Sequence, residues 1–290
     1  MKLSTPFPAT IQDFEFQKQF FPNDSHGGHY VFALYKKGNT LAFCKLTTKP
    51  LNSSEVKLLK NEIAAYFSLN SLKAVPKLVS VPKLYASHLS YQCSYFLVDF
   101  IDGVGLRNQS VEEMILGYEI LLDFLATASP SLEHRKHLFF SKSTLDLFIA
   151  FHGLLLISLV KHLDLLTKLP SILFNYYRGI FNAFSTPYGI VHRDIGGNNC
   201  LVANQKYHLI DFQYFSWAPL LMENANLFVT RAWTPGFSRA FLESKLLPSS
   251  SKDKNIFRSL SLNAIMIDIA TEVGNKYQTS LQLIEILNHL

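Results

Sequence analysis

The stretch Val191-His192-Arg193-Asp194-Ile195-Gly196-Gly197-Asn198-Asn199-Cys200-Leu201, followed by Leu209-Ile210-Asp211-Phe212, decides the fold. It sets three polar groups at fixed offsets: Asp194, Asn199 five residues on, and Asp211 twelve residues after that. Cys200-Leu201-Val202-Ala203 reads as a strand, Asn204-Gln205-Lys206 as a turn, and Tyr207-His208-Leu209-Ile210 as the returning strand. Such a hairpin returns Asp211 to the side of Asn199. The chemistry that wants this layout is phosphoryl transfer. A nucleotide's phosphates and their metal ions need hard oxygen ligands, which Asn199 and Asp211 supply. The attacking hydroxyl needs a carboxylate to orient it and accept its proton, and that role falls to Asp194.

An isolated H-x-D or D-F is more often structural, so the reading rests on what lies upstream and in which order. Residues 14–21 read as a first strand, 29–35 as a second and 40–46 as a third, with a turn at Lys36-Lys37-Gly38-Asn39. Gly27-Gly28, between the first two, can lay backbone N–H groups over phosphates because glycine lets the main chain approach closely. Lys45 sits inside the apolar third strand, where a cation is costly unless paired. The next helix offers its partner. Asn52 and Glu55 have capping-box spacing, and Leu58, Leu59, Ile63, Tyr66 and Phe67 recur at helical intervals. Glu62, mid-helix beside that apolar face, is the candidate partner of Lys45; Glu55 is the alternative, better explained as a cap.

Further strands are expected at 83–87 and 91–100. The second of these runs into Asp99-Phe100-Ile101-Asp102-Gly103, where exposed backbone can hydrogen-bond an adenine edge. A domain boundary is placed there, giving an ATP-binding N-lobe over 1–98 and a C-lobe over 99–290. Beyond it the pattern is helical: 110–128, 141–165 with a break or bend near Gly153, 171–185, 223–232 and 254–290, with 248–253 as a flexible linker.

Of the 290 residues, 48% are hydrophobic and 13% aromatic, enough for one large domain or two lobes. The net charge of +5 is spread along the chain, which suits an anionic ligand and gives no reason to expect nucleic acid as a partner. Cys44, Cys93 and Cys200 are far apart, odd in number and set in apolar runs. They read as buried thiols in a reducing compartment, the cytoplasm, and not as a disulfide or metal framework. The apolar run 145–160 is short for a membrane span and carries Asp146 and His152, so a buried helix is expected. Contact with a membrane-borne substrate stays open.

Taken together, these motifs resemble the protein-kinase-like superfamily along nearly the whole chain, and most of all the aminoglycoside phosphotransferase and choline kinase group. The likeness is carried by His192-Arg193-Asp194, Asn199 and Ile210-Asp211-Phe212, by the hinge-like 97–103, and by Lys60-Asn61-Glu62-Ile63-Ala64-Ala65-Tyr66. The resemblance implies an α+β, bilobal protein-kinase-like fold with a small antiparallel-sheet N-lobe of about five strands and a larger, mainly helical C-lobe. It implies ATP and Mg²⁺ as cofactors and a small-molecule hydroxyl as acceptor, such as a sugar, glycan or amino alcohol. Asp194, Asn199, Asp211 and Lys45 become the catalytic set. Gly27, Gly28, Lys45, Glu62, Asp99, Phe100 and Ile101 bind the nucleotide, and Asn199 and Asp211 hold metal.

The segment of about ninety residues between Gly103 and His192, and the missing A-P-E after Asp211, favour a small-molecule kinase. Few carboxylates in that segment disfavour a polycationic acceptor, while choline can be held by aromatic rings. Two positions depart from the pattern. Arg193 stands where the small-molecule group usually has Gly, and Gln213 replaces the Gly of D-F-G. A protein kinase and a nucleotide-binding pseudokinase are the alternative readings.

Overall fold

The computed structural model describes residues 7–20, 30–47, 49–196, 198–271 and 276–290. Gly27 and Gly28, expected over the phosphates, lie outside the described residues. The chain separates into two units: Met1–Val104 with Leu201–Phe215, and Gly105–Cys200 with Ser216–Leu290. The expected boundary at 98/99 lies near the one at Val104. Segment 201–215, expected in the second lobe, clusters instead with the first.

The first unit is built on a sheet of strands β1 (Thr10–Ile11), β2 (Phe14–Phe20), β3 (Tyr30–Lys37), β4 (Thr40–Thr47), β6 (Leu84–His88) and β7 (Tyr95–Asp99), ordered β1-β2-β3-β4-β7-β6 and antiparallel throughout. Among the described residues this sheet has one strand more than the five expected, the two-residue β1. Alternation along β4 explains its two faces. Ala42, Cys44 and Leu46 enter the core with Tyr35 and Leu97, and Phe43 and Lys45 point the other way. Helix α1 (Ser53–Asn70) begins with the expected capping box: Asn52 accepts from the N–H groups of Ser54 and Glu55, and Glu55 reaches back to the N–H of Asn52 at 2.7 Å.

Why 201–215 belongs here is a matter of pairing. Strands β11 (Cys200–Ala203) and β12 (Lys206–Leu209) form the expected hairpin, turning at Asn204 and Gln205, both with positive φ. Strand β12 then pairs in parallel with β5 (Val79–Ser80), tying the hairpin to the first unit. The short β8 (Val104–Gly105) completes this small sheet in the order β5-β12-β11-β8.

The second unit is helical. It contains α2 (Val111–Leu132), α3 (Thr144–Lys161), α4 (Leu169–Ala183), α5 (Leu221–Arg231), α6 (Phe237–Glu243), α7 (Ser251–Thr271) and α8 (Tyr277–Asn288). It also holds a three-stranded sheet of β9 (Phe140–Ser141), β10 (Tyr188–Val191) and β13 (Ser216–Pro219), ordered β10-β13-β9.

Four expectations change. Helix α3 runs unbroken through Gly153, where open space surrounds the Cα and helical backbone bonds suffice. The segment read as a linker instead starts α7, because Ser250 Oγ accepts from Asp253 N–H at 3.0 Å and caps the helix. Cys93 is exposed, since β7 begins only at Tyr95 and the cysteine falls in the preceding turn, its N–H donating to Ser90 Oγ. Cys44 and Cys200 are buried, and burial pushes both thiols up to about 12. Lastly, α3 is buried on one side only, through Leu147, Phe151, Leu155 and Ser158.

Helices α4 and α7 approach closely at Gly179, where a Cβ would stand 1.8 Å from the carbonyl oxygen of Asn255 and 2.7 Å from Ser259 Oγ. Backbone on both sides cannot yield without moving a helix. Gly179→Ala is therefore expected to destabilise the protein by about 1–3 kcal/mol or more, read as a lower midpoint in chemical denaturation. An unchanged midpoint would contradict the close crossing.

Candidate active site

In the first unit, Lys45 Nζ donates to Glu62 Oε2 at 2.9 Å, and Asp211 Oδ1 lies 3.6 Å from the same nitrogen. The lysine and glutamate side chains are 6% and 2% exposed. Two removed charges at this depth are costly, and mutual pairing compensates only when the geometry is close. Tyr30 and Phe96 add ring faces at 4.9 and 5.8 Å from the ammonium. Burial pulls the Lys45 pKa down, but Glu62 and Asp211 more than offset it, and the net shift is upward. Glu62 is pushed up to about 7, by burial and then by the charge of Asp211, against the pull of Lys45. Of the two candidates, the structure pairs Lys45 with Glu62; Glu55 serves as the cap.

The Asp211 segment is fastened to α1 by residues that sequence reasoning did not single out. Asn61 Nδ2 donates to the carbonyls of Phe212, Gln213 and Phe215 at 3.3, 3.0 and 2.8 Å. Asp211 N–H donates to Tyr66 Oη at 3.3 Å, and the Tyr66 ring meets Phe212 edge to face at 4.9 Å. Asp211 itself has φ +56°, a left-handed conformation that Asp tolerates better than most residues. Asn61, 3% exposed, stands beside Glu62 on the buried side of α1, where Ser68 is a further buried polar residue.

The hinge-like residues are placed as follows. Asp99 accepts from Lys83 N–H at 2.7 Å and from Tyr85 Oη at 2.5 Å. The N–H groups of Asp99 and Phe100 donate to the carbonyls of Lys83 and Leu41, both at 3.1 Å. Backbone bonding to a base is then left to the carbonyls and to Ile101. On the face of the sheet that carries Lys45, half-buried rings cluster. Phe32 stacks on Phe43 at 5.4 Å, and Phe20 stacks on Phe100 at 5.9 Å.

In the second unit, Asn199 Nδ2 donates to Asp194 Oδ2 at 2.8 Å and to the Asp194 carbonyl at 3.0 Å. The side-chain bond fixes the carboxylate's orientation and leaves the Asn199 carbonyl oxygen as a hard donor. Beneath this loop lies Glu223, at the start of α5 and 2% exposed. Its Oε2 accepts from Arg193 N–H at 2.7 Å. Burial pushes its pKa up to about 7, while the backbone amides of Arg193, His192 and Ile195 draw it down. Sequence reasoning missed Glu223 because its partners are backbone amides, which carry no side-chain signature. Among the described residues, no three His, Cys, Asp or Glu gather as a metal cluster.

Arg193 has φ +69°. A side chain there costs roughly 1–2 kcal/mol, and Gly would take the conformation freely. The comparison of two truncations isolates this. Arg193→Gly is expected to be more stable than Arg193→Ala by about 1 kcal/mol in chemical denaturation, the reverse of the order at ordinary backbone angles. The opposite order would mean that the loop is not held left-handed. A second test concerns Glu223. Its folded pKa lies above its ordinary 4.5, so the stability it contributes is full below pH 4.5 and is lost as the pH rises through about 7. Glu223→Gln is expected to flatten the fall of melting temperature across that window. An equal fall in both proteins would remove the carboxyl from the account.

The sequence matches the phosphotransferase enzyme family over residues 13–246. No curated protein sequence matches the chain. Solved structures match it in fold. The aminoglycoside phosphotransferase APH(4)-Ia, in a ternary complex with AMP-PNP and hygromycin B, superposes with a TM-score of 0.61 at 14% identity, covering 97% of this chain and 94% of that one. Choline kinase LicA from Streptococcus pneumoniae gives 0.58 at 16% identity, covering 95% and 94%. The streptomycin–ATP complex of APH(2")-IIa gives 0.57 at 19%, covering 96% and 94%. The α+β, protein-kinase-like fold is thus the observed one. With a sequence match across most of its length, the chain belongs to the phosphotransferase enzyme family and is a phosphotransferase with a hydroxyl group as acceptor.

Proposed function

We propose that the protein transfers the γ-phosphoryl group of ATP to a hydroxyl of a small molecule such as a sugar, glycan or amino alcohol. The observation that carries this reading is the buried Lys45–Glu62 pair with Asp211 beside it. A fixed ammonium of this kind meets phosphate oxygens without reorganising. The half-buried rings of Phe20, Phe32 and Phe43 on the same sheet face offer a purine an apolar surface. The complexes of relatives with AMP-PNP and with ATP support the choice of nucleotide.

Asp194 orients the acceptor hydroxyl and takes its proton as the phosphoryl group departs from the nucleotide. Asn199 holds that carboxylate through its amide. Mg²⁺ fits the remaining donors. Asp211 Oδ1 is buried without a hydrogen bond, and the single ammonium of Lys45 faces two carboxyl groups, Glu62 and Asp211. Each unit by itself carries a donor suited to the ion, Asp211 in the first and the Asn199 side-chain oxygen in the second, and the ion would neutralise charge on the phosphates when bound. Under this reading, ATP as donor and the two buried thiols support a cytoplasmic location.

The test is phosphate transfer from γ-labelled ATP with Mg²⁺ into a cell extract, with the products split into small-molecule and protein fractions. Label is expected in the small-molecule fraction and is expected to fall by ~10²–10⁴-fold in Asp194→Asn. Label in protein alone would favour a protein kinase, which Arg193 resembles. No label, with nucleotide still bound, would favour a pseudokinase.

A further inference from the structure

We propose that the face shared by α3 and α4 in the second unit is a membrane-surface site, lying in the plane of an anionic phospholipid leaflet. Along α3, Leu145, Ile149, Leu156 and Val160 recur at helical spacing with the exposed Gly153 between them, and these four side chains are 55–74% exposed. Along α4, Phe174 and Phe181 continue the face at 65% and 64% exposure. The two stripes are contiguous. His152 Nε2 is 2.7 Å from Tyr177 Oη, and Tyr177 stacks on Phe181 at 6.0 Å. Soluble monomers rarely leave so continuous an apolar surface in water without using it.

Charge selects the occupant. Arg178 stands on the α4 stripe between the two phenylalanines, and no residue of either stripe is acidic. Lys252 Nζ donates to Ser185 Oγ at 3.4 Å, just past the end of α4. Thr144 Oγ1 donates to the Ala183 carbonyl at 3.1 Å, which brings the start of α3, preceded by Lys142, to that same end. The one acid in α3, Asp146, is turned to Ser143 as a helix cap. A protein partner would have to desolvate Arg178 against a matching carboxylate. A leaflet instead offers apolar depth for the rings and phosphates at the level where a long cationic side chain emerges.

Helix α3 is long and apolar enough to cross a bilayer by length and composition, and only 28% of it is buried. It is nevertheless held in the unit. Phe151 stacks on Tyr176 of α4 at 3.5 Å, and Asn263 of α7 donates to the Leu147 carbonyl at 2.7 Å. Spanning would strip those contacts, whereas lying flat keeps them.

The experiment is flotation of the full chain with vesicles of phosphatidylcholine alone and of phosphatidylcholine with phosphatidylglycerol. Binding is expected with the anionic vesicles, to fall about tenfold or more in Phe174→Ser/Phe181→Ser with an unchanged melting temperature. Arg178→Glu is expected to remove the preference for anionic lipid. No flotation with either vesicle overturns the proposal, as does flotation that neither variant alters. A dimer in solution that the double variant converts to monomer also overturns it, assigning the face to a second copy.

Discussion

The Lys45–Glu62 ion pair is the constraint on which the first unit turns. A lysine in the middle of an apolar strand is intolerable by itself, so β4 requires a carboxylate at one position in space. Helix α1 supplies it as Glu62, and supplying it fixes the rotation and height of that helix against the sheet. The same helix then presents Asn61 and Tyr66 to the backbone that follows Asp211. One buried charge on β4 thus fixes the helix, and the helix fixes the aspartate, without any contact designed for the aspartate alone.

The second unit solves a parallel problem with a different carboxyl. Arg193 is bent into a conformation that favours glycine, immediately before Asp194. Such strain persists only where the surroundings over-determine it. Glu223 does so by accepting the Arg193 N–H from below, in a site dry enough to hold its own proton near neutrality. The strained turn sets the direction of the Asp194 side chain, and Asn199 fixes its oxygens. In both units a buried acid stands behind a residue proposed to meet the reactants.

Much of this was legible in the residues. The capping box at Asn52 and Glu55 and the hairpin around Asn204 follow from local spacing, and the partnership of Lys45 with Glu62 from the cost of an unpaired buried cation together with the family resemblance. What escaped was long-range or backbone-directed. Asn61 and Glu223 act on main-chain groups, and no periodicity marks them. The assignment of 201–215 to the first unit depends on a parallel pairing with β5 more than a hundred residues earlier in the chain. Cys93 sat in an apolar run, yet the turn ending at Ser94 leaves it in water. The α3 run was read as buried because hydropathy is the same whether an apolar stripe meets protein, lipid or solvent.

The replacement of the D-F-G glycine by Gln213 can now be weighed. Among positions 211 to 213, only Asp211 has a positive φ, so the third position makes no demand that glycine alone could meet. Gln213 is instead anchored through its carbonyl to Asn61. To swing this segment outward, the protein would have to expose Phe212, which is fully buried, at roughly 1.5–3 kcal/mol. It would also break the bonds that the two Asn61 amide hydrogens make to these carbonyls, at roughly 0.5–1.5 kcal/mol per hydrogen. Glycine in that position elsewhere supplies the freedom for such a swing. Here the anchors to Asn61 oppose such a swing and hold Asp211 beside Lys45.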